Sequence, residues 1–365
     1  MPSIHLIRNE ALRATLSPVT GGRISTHIRP TIAAVYLTRF CNSRCNMCDF
    51  WKNERDPNEL TSEQWGVIFS KLKAFGVDFV GVNASGEMFT RRDVFDILGH
   101  LRDLDLGFGI NTNGTLLTSR KAQWLAELNP RQITIGLDGV GDESYFVTRG
   151  LKHGFTKISR HIDNLQKAGI HGIYLGSVLM RENLNDWVHI AEYALEKGLA
   201  GVRFTAFHDA YFNQNPENSG SAYSMPEFIA AAEVEIGKLI DLKRHTGIVK
   251  NSEEYLRRVI DYYRGPTNYF PVPCLQGSNR IEVDVYGNVT LCSFMTDSLG
   301  NLVQQDMNEI WESEQHRRAR DAAYAGECPK CFLSCYGEEN LRLSAKGFIS
   351  TFGDSVRRGY RLLSA

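Results

Sequence analysis

The chain has 365 residues, of which 42% are hydrophobic and 23% are charged, and its formal net charge is −1. This is the composition of an ordinary globular protein, and the near-neutral charge argues against a broad basic surface for nucleic acid. No apolar run approaches the roughly 20 residues that a membrane-spanning helix needs. The first residues, MPSIHLIRNEALRATL, lack the apolar core and cleavage site of a signal peptide. We therefore expect no nucleic-acid partner, no membrane attachment and a cytoplasmic location.

Apolar runs alternate with amphipathic stretches over the first part of the chain. Residues 1–30 show little pattern and are predicted to form a lead-in. Six strands are predicted after it, at residues 33–37, 79–83, 107–112, 132–137, 172–179 and 201–206. Five helices are predicted between them, at residues 62–75, 93–104, 119–128, 156–168 and 184–197. Because parallel βα units curl in one direction, we expect an α/β fold with a partial (β/α)6 TIM-like barrel over residues 31–210.

The chain after residue 210 shows a different pattern. Residues 211–265 predict a linking loop followed by helices. Residues 266–340 form a compact segment that contains five of the cysteines, and a β-hairpin is predicted at residues 280–292. We expect this segment to be a small C-terminal domain made of the hairpin plus helices. Residues 341–365 are predicted to be a basic, partly helical tail.

The eight cysteines fall into an early group of three and a late group of five. Clustered cysteines in a reducing compartment indicate metal ligands rather than disulfides. Residues 41–48, CNSRCNMC, place Cys41, Cys45 and Cys48 on one short loop after the first predicted strand. Three thiolates can hold three irons of a [4Fe–4S] cluster and leave the fourth iron open, as a catalytic site requires. A zinc site and buried free thiols are the alternatives, although no further Cys or His follows at zinc-finger spacing.

The C-x3-C-x2-C spacing after strand one resembles that of the radical S-adenosylmethionine (SAM) superfamily. The resemblance implies that the open iron binds the methionine moiety of SAM. It also implies that an electron from the cluster cleaves SAM to a 5′-deoxyadenosyl radical, which abstracts hydrogen from an unactivated carbon. Residues 84–88, ASGEM, resemble the family's Gly-Gly-Glu-Pro segment, which implies that Gly86 and Glu87 receive the ammonium group of SAM. Ser85 and Met88 depart from that segment.

Five further residues are predicted to contact SAM, and no catalytic side chain is predicted. By resemblance, Asn113 and Asp138 line the cofactor face after strands three and four, and Arg149 lies near the active site. Ser177 and Arg203 lie on strands five and six, where they could contact the carboxylate or ribose of SAM. The alternatives are helix caps for Asn113 and Asp138, a surface charge for Arg149, and internal polar groups of the barrel for Ser177 and Arg203.

The late cysteines follow the pattern Cys274-x12-Gly287-x4-Cys292, then Cys328-x2-Cys331-x3-Cys335. This pattern resembles the SPASM/twitch C-terminal extension of radical enzymes, whose full form carries more cysteines and two auxiliary clusters. We therefore expect one auxiliary [4Fe–4S] cluster on the first four of these cysteines. Cys335 is then spare or an alternative ligand. A structural zinc knot is the alternative to the cluster.

These resemblances imply a SAM-dependent radical oxidoreductase with two [4Fe–4S] clusters in a biosynthetic pathway. The radical step is expected to lead to oxidation, epimerisation or bond formation. A small molecule such as a sugar or aminocyclitol is slightly favoured as substrate, because only 40 residues precede Cys41 and a peptide-recognition domain does not fit there. The alternative is a maturase of a ribosomally made peptide. A reductant such as flavodoxin or ferredoxin is an expected partner, and the alternative of another class is a non-catalytic iron–sulfur electron-transfer module.

Overall fold

The structure is a computed structural model that describes residues 27–83, 85–208, 223–265, 269 and 271–343, together with Leu12, Leu16, Val19, Thr20 and Arg23. Most of the predicted lead-in therefore lies outside the described residues. The same holds for the first part of the predicted linking segment and for the tail beyond residue 343.

Six parallel strands follow one another across a sheet in chain order. They are β1 (Ile32–Tyr36), β2 (Phe79–Asn83), β3 (Gly107–Thr112), β4 (Gln132–Gly136), β5 (Ile173–Leu179) and β6 (Gly201–Ala206). Each pairs in parallel with its predecessor. The predicted α/β class with successive parallel βα units is therefore confirmed. The carboxyl ends of these strands meet at one edge, which is where such folds bind ligands.

Helices connect these strands, and their apolar faces pack on the sheet. They are α1 (Ser62–Phe75), α2 (Val94–Asp103), α3 (Ser119–Leu128), α4 (Asp142–Arg149), α5 (Gly154–Lys167) and α6 (Trp187–Glu196). In α1 the buried residues recur at helical spacing, and they include Trp65, Ile68, Phe69 and Leu72. A capping box between Thr61 and Gln64 begins α1, and Gly76 ends it with a left-handed φ of 112°.

Helix α4 is missing from the predicted elements. It has eight residues, of which only Tyr145 and Thr148 are buried, so it lacks the apolar stripe that reveals the longer helices. Arg149 is its last residue, and Gly150 caps it with a φ of 68°. Arg149 therefore lies at the end of a helix, and not on the exposed loop that was one of the two readings of the sequence.

The rest of the described chain forms helices and a hairpin. The helices predicted within residues 211–265 are α7 (Pro226–Thr246) and α8 (Glu253–Arg264). The predicted hairpin is confirmed as an antiparallel pair of short strands, β7 (Ile281–Val283) and β8 (Val289–Thr290). It is followed by α9 (Met307–Glu312), α10 (Glu314–Ala325) and α11 (Ser334–Leu343). None of the described helices is both long and apolar enough to cross a lipid bilayer.

The hairpin extends the sheet of the barrel, a pairing that the sequence does not predict. Strand β7 pairs in parallel with β1, with Ala34 opposite Glu282, so the sheet has eight strands in the order β6-β5-β4-β3-β2-β1-β7-β8. The buried Glu282 carboxylate accepts hydrogen bonds from Tyr36 Oη on β1 (3.2 Å) and from Tyr336 Oη on α11 (2.8 Å). One continuous apolar core contains residues from both regions. The cysteine-bearing segment is therefore built onto the open edge of β1.

Candidate active site

The first cysteine loop (residues 41–48) follows β1 at the carboxyl edge of the sheet. Within it, Ser43 N donates to Cys41 Sγ over 3.5 Å, and the backbone N–H of Phe50 donates to Cys48 Sγ. Asn46 N donates to the carbonyl oxygen of Thr148, one residue before the end of α4, over 3.0 Å. Because N–H groups aimed at sulfur favour the thiolate, the backbone of this loop is arranged to support metal ligands.

Gly86 lies directly against this loop. Its N–H donates to the carbonyl oxygen of Thr38 (3.0 Å), and the N–H of Glu87 donates to that of Phe40 (2.8 Å). A Cβ atom built on Gly86 would lie 2.0 Å from the carbonyl oxygen of Phe40, far inside van der Waals contact. The segment after β2 therefore approaches the residue before Cys41 as closely as only glycine allows.

Gly86→Ala is expected to displace the first cysteine loop and to lose its cluster. The added methyl group meets backbone, which cannot move aside as a flexible side chain does, so iron bound after anaerobic reconstitution should fall by about four per chain. Gly99→Ala, within α2, is the matched control, because nothing lies within 4 Å of its Cβ position. That control should keep its iron and gain about 0.5–1 kcal/mol of stability. Equal iron contents in the two variants would contradict the packing argument.

The Glu87 carboxylate is only 2% exposed and is fully engaged with the ends of neighbouring strands. Its Oε1 accepts from Thr112 Oγ1 (2.8 Å) and Phe89 N (3.1 Å), and its Oε2 accepts from Asn113 N (2.7 Å). Burial raises the pKa of Glu87, and these three hydrogen bonds oppose the rise. Glu87 therefore joins the ends of β2 and β3 next to the cysteine loop, and any ammonium group it receives would add to these contacts.

Asn113 binds the cysteine loop directly. Its Nδ2 donates to Asn42 Oδ1 (2.9 Å) and to Ser43 Oγ (3.0 Å), while its Oδ1 accepts from Thr115 N (2.9 Å). It does not cap the next helix, because Thr118 holds that position in α3. The side chain therefore fixes the loop between Cys41 and Cys45 from the end of β3.

Asp138, Arg149 and Ser177 form one buried network beside the loop. Arg149 Nε pairs with Asp138 Oδ2 at 2.5 Å, with the arginine side chain 13% exposed and the aspartate fully buried. Asp138 Oδ1 accepts from Ser177 Oγ (3.1 Å) and from Val178 N (2.7 Å). Asp138 is not a helix cap, since Gly141 precedes α4. Ser177 thus orients Asp138, and Asp138 holds Arg149 in place. Both residues therefore act on the site through the position of Arg149.

The thiols of the loop are buried beside this arginine. Burial raises the pKa of Cys45 to about 12 and that of Cys48 to about 11, and the positive charge of Arg149 opposes both rises. Within the described parts of the chain, no three Cys, His, Asp or Glu side chains are arranged to hold a single metal ion. Soft sulfur donors with N–H support and a neighbouring guanidinium are suited to an anionic iron–sulfur cluster. The residues of this loop therefore fit such a cluster.

Arg203 does not join this group. Its guanidinium lies 4.5 Å from the ring centroid of Tyr174 and donates from Nη1 to Gln132 Oε1 over 3.5 Å. Gln132 begins β4 and Tyr174 lies near the start of β5, so the guanidinium is directed toward the amino ends of these strands. The structure thus brings together six of the seven predicted SAM contacts and places the seventh elsewhere in the barrel.

Four of the five late cysteines line one pocket, which we call the auxiliary pocket. It encloses about 570 Å³, part of it open solvent, and the four are Cys274, Cys292, Cys328 and Cys331. Cys335, on α11, is exposed and is not among the residues that line it. The carbonyl oxygen of Cys335 instead accepts a hydrogen bond from Arg280 Nη2 over 3.3 Å. All eight cysteines of the chain are free thiols.

N–H donors also surround the sulfurs of the auxiliary pocket. Met295 N donates to Cys292 Sγ over 3.4 Å, and the backbone N–H of Leu333 donates to Cys331 Sγ. Cys274 Sγ receives the backbone N–H of Gln276 and the side chain of Asn340, a residue that the sequence does not single out. Burial raises the pKa of Cys274 to about 11, and these donors oppose the rise. Four soft donors around one pocket also fit a cluster.

Two protein-family models match the chain. The radical SAM superfamily matches residues 35–194, and the SPASM iron–sulfur cluster-binding domain matches residues 274–333. The chain belongs to the radical SAM superfamily. It is therefore an enzyme, and its cofactors are [4Fe–4S] clusters and SAM.

Named relatives of this radical SAM enzyme align over most of its length. The AdoMet-dependent heme synthase of Methanosarcina barkeri is 26% identical over 83% of this chain and 88% of its own length. The mycofactocin maturase MftC of Mycolicibacterium smegmatis is 26% identical over 82% of this chain and 76% of its own. Streptococcus suis SuiB, solved with the precursor peptide SuiA, shares the fold with a TM-score of 0.62 and 14% identity, over 85% of this chain and 71% of that one.

Proposed function

We propose that this enzyme reductively cleaves SAM at the first cysteine loop and abstracts hydrogen from an unactivated C–H bond of an organic substrate. The main support is the tri-thiolate loop at the carboxyl ends of the strands, where the Glu87 and Asp138–Arg149 networks meet it. When bound, the cluster and SAM supply the electron and the 5′-deoxyadenosyl radical. Cys41, Cys45 and Cys48 would hold three irons and leave the fourth for SAM.

The residues around the loop would position SAM. Gly86 and Glu87 would receive the ammonium group of SAM, because a buried carboxylate with ordered partners is a preorganised acceptor. Asn113 holds the loop, and Arg149 lies beside it as a fixed cation that favours bound anionic groups. Because Asp138 pairs with Arg149 in this buried position, the protein rather than water holds the guanidinium in place.

We further propose that the auxiliary pocket holds one [4Fe–4S] cluster on its four cysteines. Such a closed site could accept the electron that is released when a substrate radical is oxidised. The first cluster needs an external one-electron donor, for which flavodoxin or ferredoxin is the proposed partner. Free thiols at all eight cysteine positions are consistent with a reducing compartment, and we propose the cytoplasm.

We propose two alternative substrate classes, a peptide and a small molecule. The maturase name of one relative and the precursor peptide bound to SuiB favour a peptide substrate, whereas the heme synthase favours a small biosynthetic precursor. The two relatives align over nearly the same share of this chain, so similarity does not separate them. A sugar-like molecule remains one candidate within the small-molecule class.

The decisive experiment is SAM cleavage by the anaerobically reconstituted enzyme. We expect 5′-deoxyadenosine, measured by mass spectrometry, after reduction with dithionite or reduced flavodoxin. Deuterium transfer into 5′-deoxyadenosine from a deuterated peptide or from a deuterated porphyrin then separates the two substrate classes. If no reductant yields 5′-deoxyadenosine while the iron content is complete, the proposed cleavage of SAM at this loop is refuted, and the alternative of a non-catalytic electron-transfer module is favoured.

A further inference from the structure

The Gln276 side chain is buried in the wall of the auxiliary pocket and has no hydrogen-bond partner among the described residues. The residue is 1% exposed and lines the pocket beside Cys274. Neither Oε1 nor Nε2 has a hydrogen-bond partner within the part of the chain that the structure describes. Leaving a buried amide unsatisfied is unfavourable, so a group in the pocket that hydrogen-bonds with this carboxamide would stabilise it.

The surroundings of Gln276 indicate what that group is. The backbone N–H of Gln276 already donates to Cys274 Sγ, and the Asn340 side chain donates to the same sulfur. Asn340 is itself oriented by Leu275 N, which donates to its Oδ1 over 3.1 Å. Much of the remaining lining is apolar, including Val272, Leu291, Phe294, Met295 and Phe332. The wall that contains Gln276 is therefore composed of cysteine sulfurs and largely apolar side chains.

We propose that the Gln276 carboxamide donates an N–H hydrogen bond to a sulfur of the auxiliary cluster and raises its reduction potential. This inference rests on the proposed auxiliary cluster. Reduction adds negative charge to the cluster, so an N–H donor stabilises the reduced state more than the oxidised one. The effect is strong because the apolar lining leaves little water to screen it. Gln276 thus makes the cluster a better electron acceptor.

Gln276→Met tests this, because methionine nearly matches glutamine in volume and has no N–H donor. We expect about a tenfold smaller equilibrium constant for reduction of the auxiliary cluster, which is a shift of about 59 mV to lower potential for a one-electron couple. Redox titration of the holoenzyme followed by electron paramagnetic resonance measures it. In D2O, the exchangeable deuteron coupling that comes from the Gln276 side chain should also be lost, while the couplings from the backbone N–H groups and from Asn340 remain.

Two further variants are compared with Gln276→Met in the same redox titration. Gln123→Met is the matched control, since Gln123 is exposed on α3, and it should leave both the potential and the deuteron coupling unchanged. Gln276→Glu keeps the shape, and its negative charge should lower the potential at least as far as methionine does. The iron content of each variant is measured in parallel.

The outcomes are distinct. An unchanged potential and an unchanged deuteron coupling in Gln276→Met, with full iron content, would overturn the inference. Loss of the auxiliary iron in both Gln276 variants would also overturn it, because Gln276 would then be required to hold the cluster rather than to tune it. A wild-type content of about four irons would instead refute the auxiliary cluster itself, and the inference would fail with it.

Discussion

Cys45→Ala is expected to abolish formation of 5′-deoxyadenosine from SAM. Cys45 lies between Cys41 and Cys48 in the loop, and burial raises the pKa of its thiol to about 12. A bound metal would favour the thiolate at this buried position. An alanine removes one of three ligands and leaves two irons without protein sulfur. Removing a residue that hydrogen-bonds to a metal ligand lowers metal affinity about 10–100-fold. Because removing the ligand itself has a larger effect on the cluster, we expect SAM cleavage to fall by at least about 100-fold.

The matched control for Cys45→Ala is Cys335→Ala, the same chemical change at an exposed cysteine outside both the loop and the auxiliary pocket lining. We expect Cys335→Ala to retain SAM cleavage under the same reductant. Iron analysis should show loss of about four irons in Cys45→Ala only. Retained cleavage in Cys45→Ala would remove the basis for the assigned cluster site.

The double variant Cys274→Ala/Cys292→Ala is expected to lose the auxiliary cluster and keep the first one. Both cysteines line the auxiliary pocket and neither contacts the first cysteine loop in the described hydrogen bonds. The wild-type chain should hold about eight irons and the double variant about four. Iron analysis together with Mössbauer spectra measures the difference.

Cys335→Ala alone should keep about eight irons, because Cys335 does not line the auxiliary pocket. Loss of about four irons in that variant would make Cys335 a ligand in place of one of its neighbours. If the wild-type protein itself contains about four irons, the auxiliary pocket is empty or holds zinc, and the proposed electron acceptor does not exist.

The sequence predicts elements well where the pattern is local. Strands β2, β3 and β6 have the predicted bounds, because each is a short apolar run between turn residues. Helix α1 also has its predicted bounds, because Thr61 and Gly76 mark its two ends. Helix α4 is not predicted, because a helix of eight residues with two buried side chains shows no clear helical repeat of apolar residues.

Tertiary contacts are what the sequence cannot supply. The spacing of the cysteines indicates both sites, but it does not show that Arg149 pairs with Asp138, or that Arg203 turns toward Gln132. The pairing of β7 with β1 joins residues almost 250 positions apart, for which no local pattern exists. Gln276 likewise has no signal in the sequence, because its importance comes only from a buried side chain for which the described residues offer no hydrogen-bond partner.

The parallel pairing of β7 with β1 has a consequence for any attempt to isolate a minimal catalytic fragment. Ala33, Ala34 and Val35 pair with β7 on one side, and the loop that carries Cys41 begins a few residues later. A chain shortened before residue 270 would leave this side of β1 as a bare sheet edge, which invites aggregation through strand addition. We expect such fragments to be insoluble, so the C-terminal region protects the strand from which the radical-generating loop emerges.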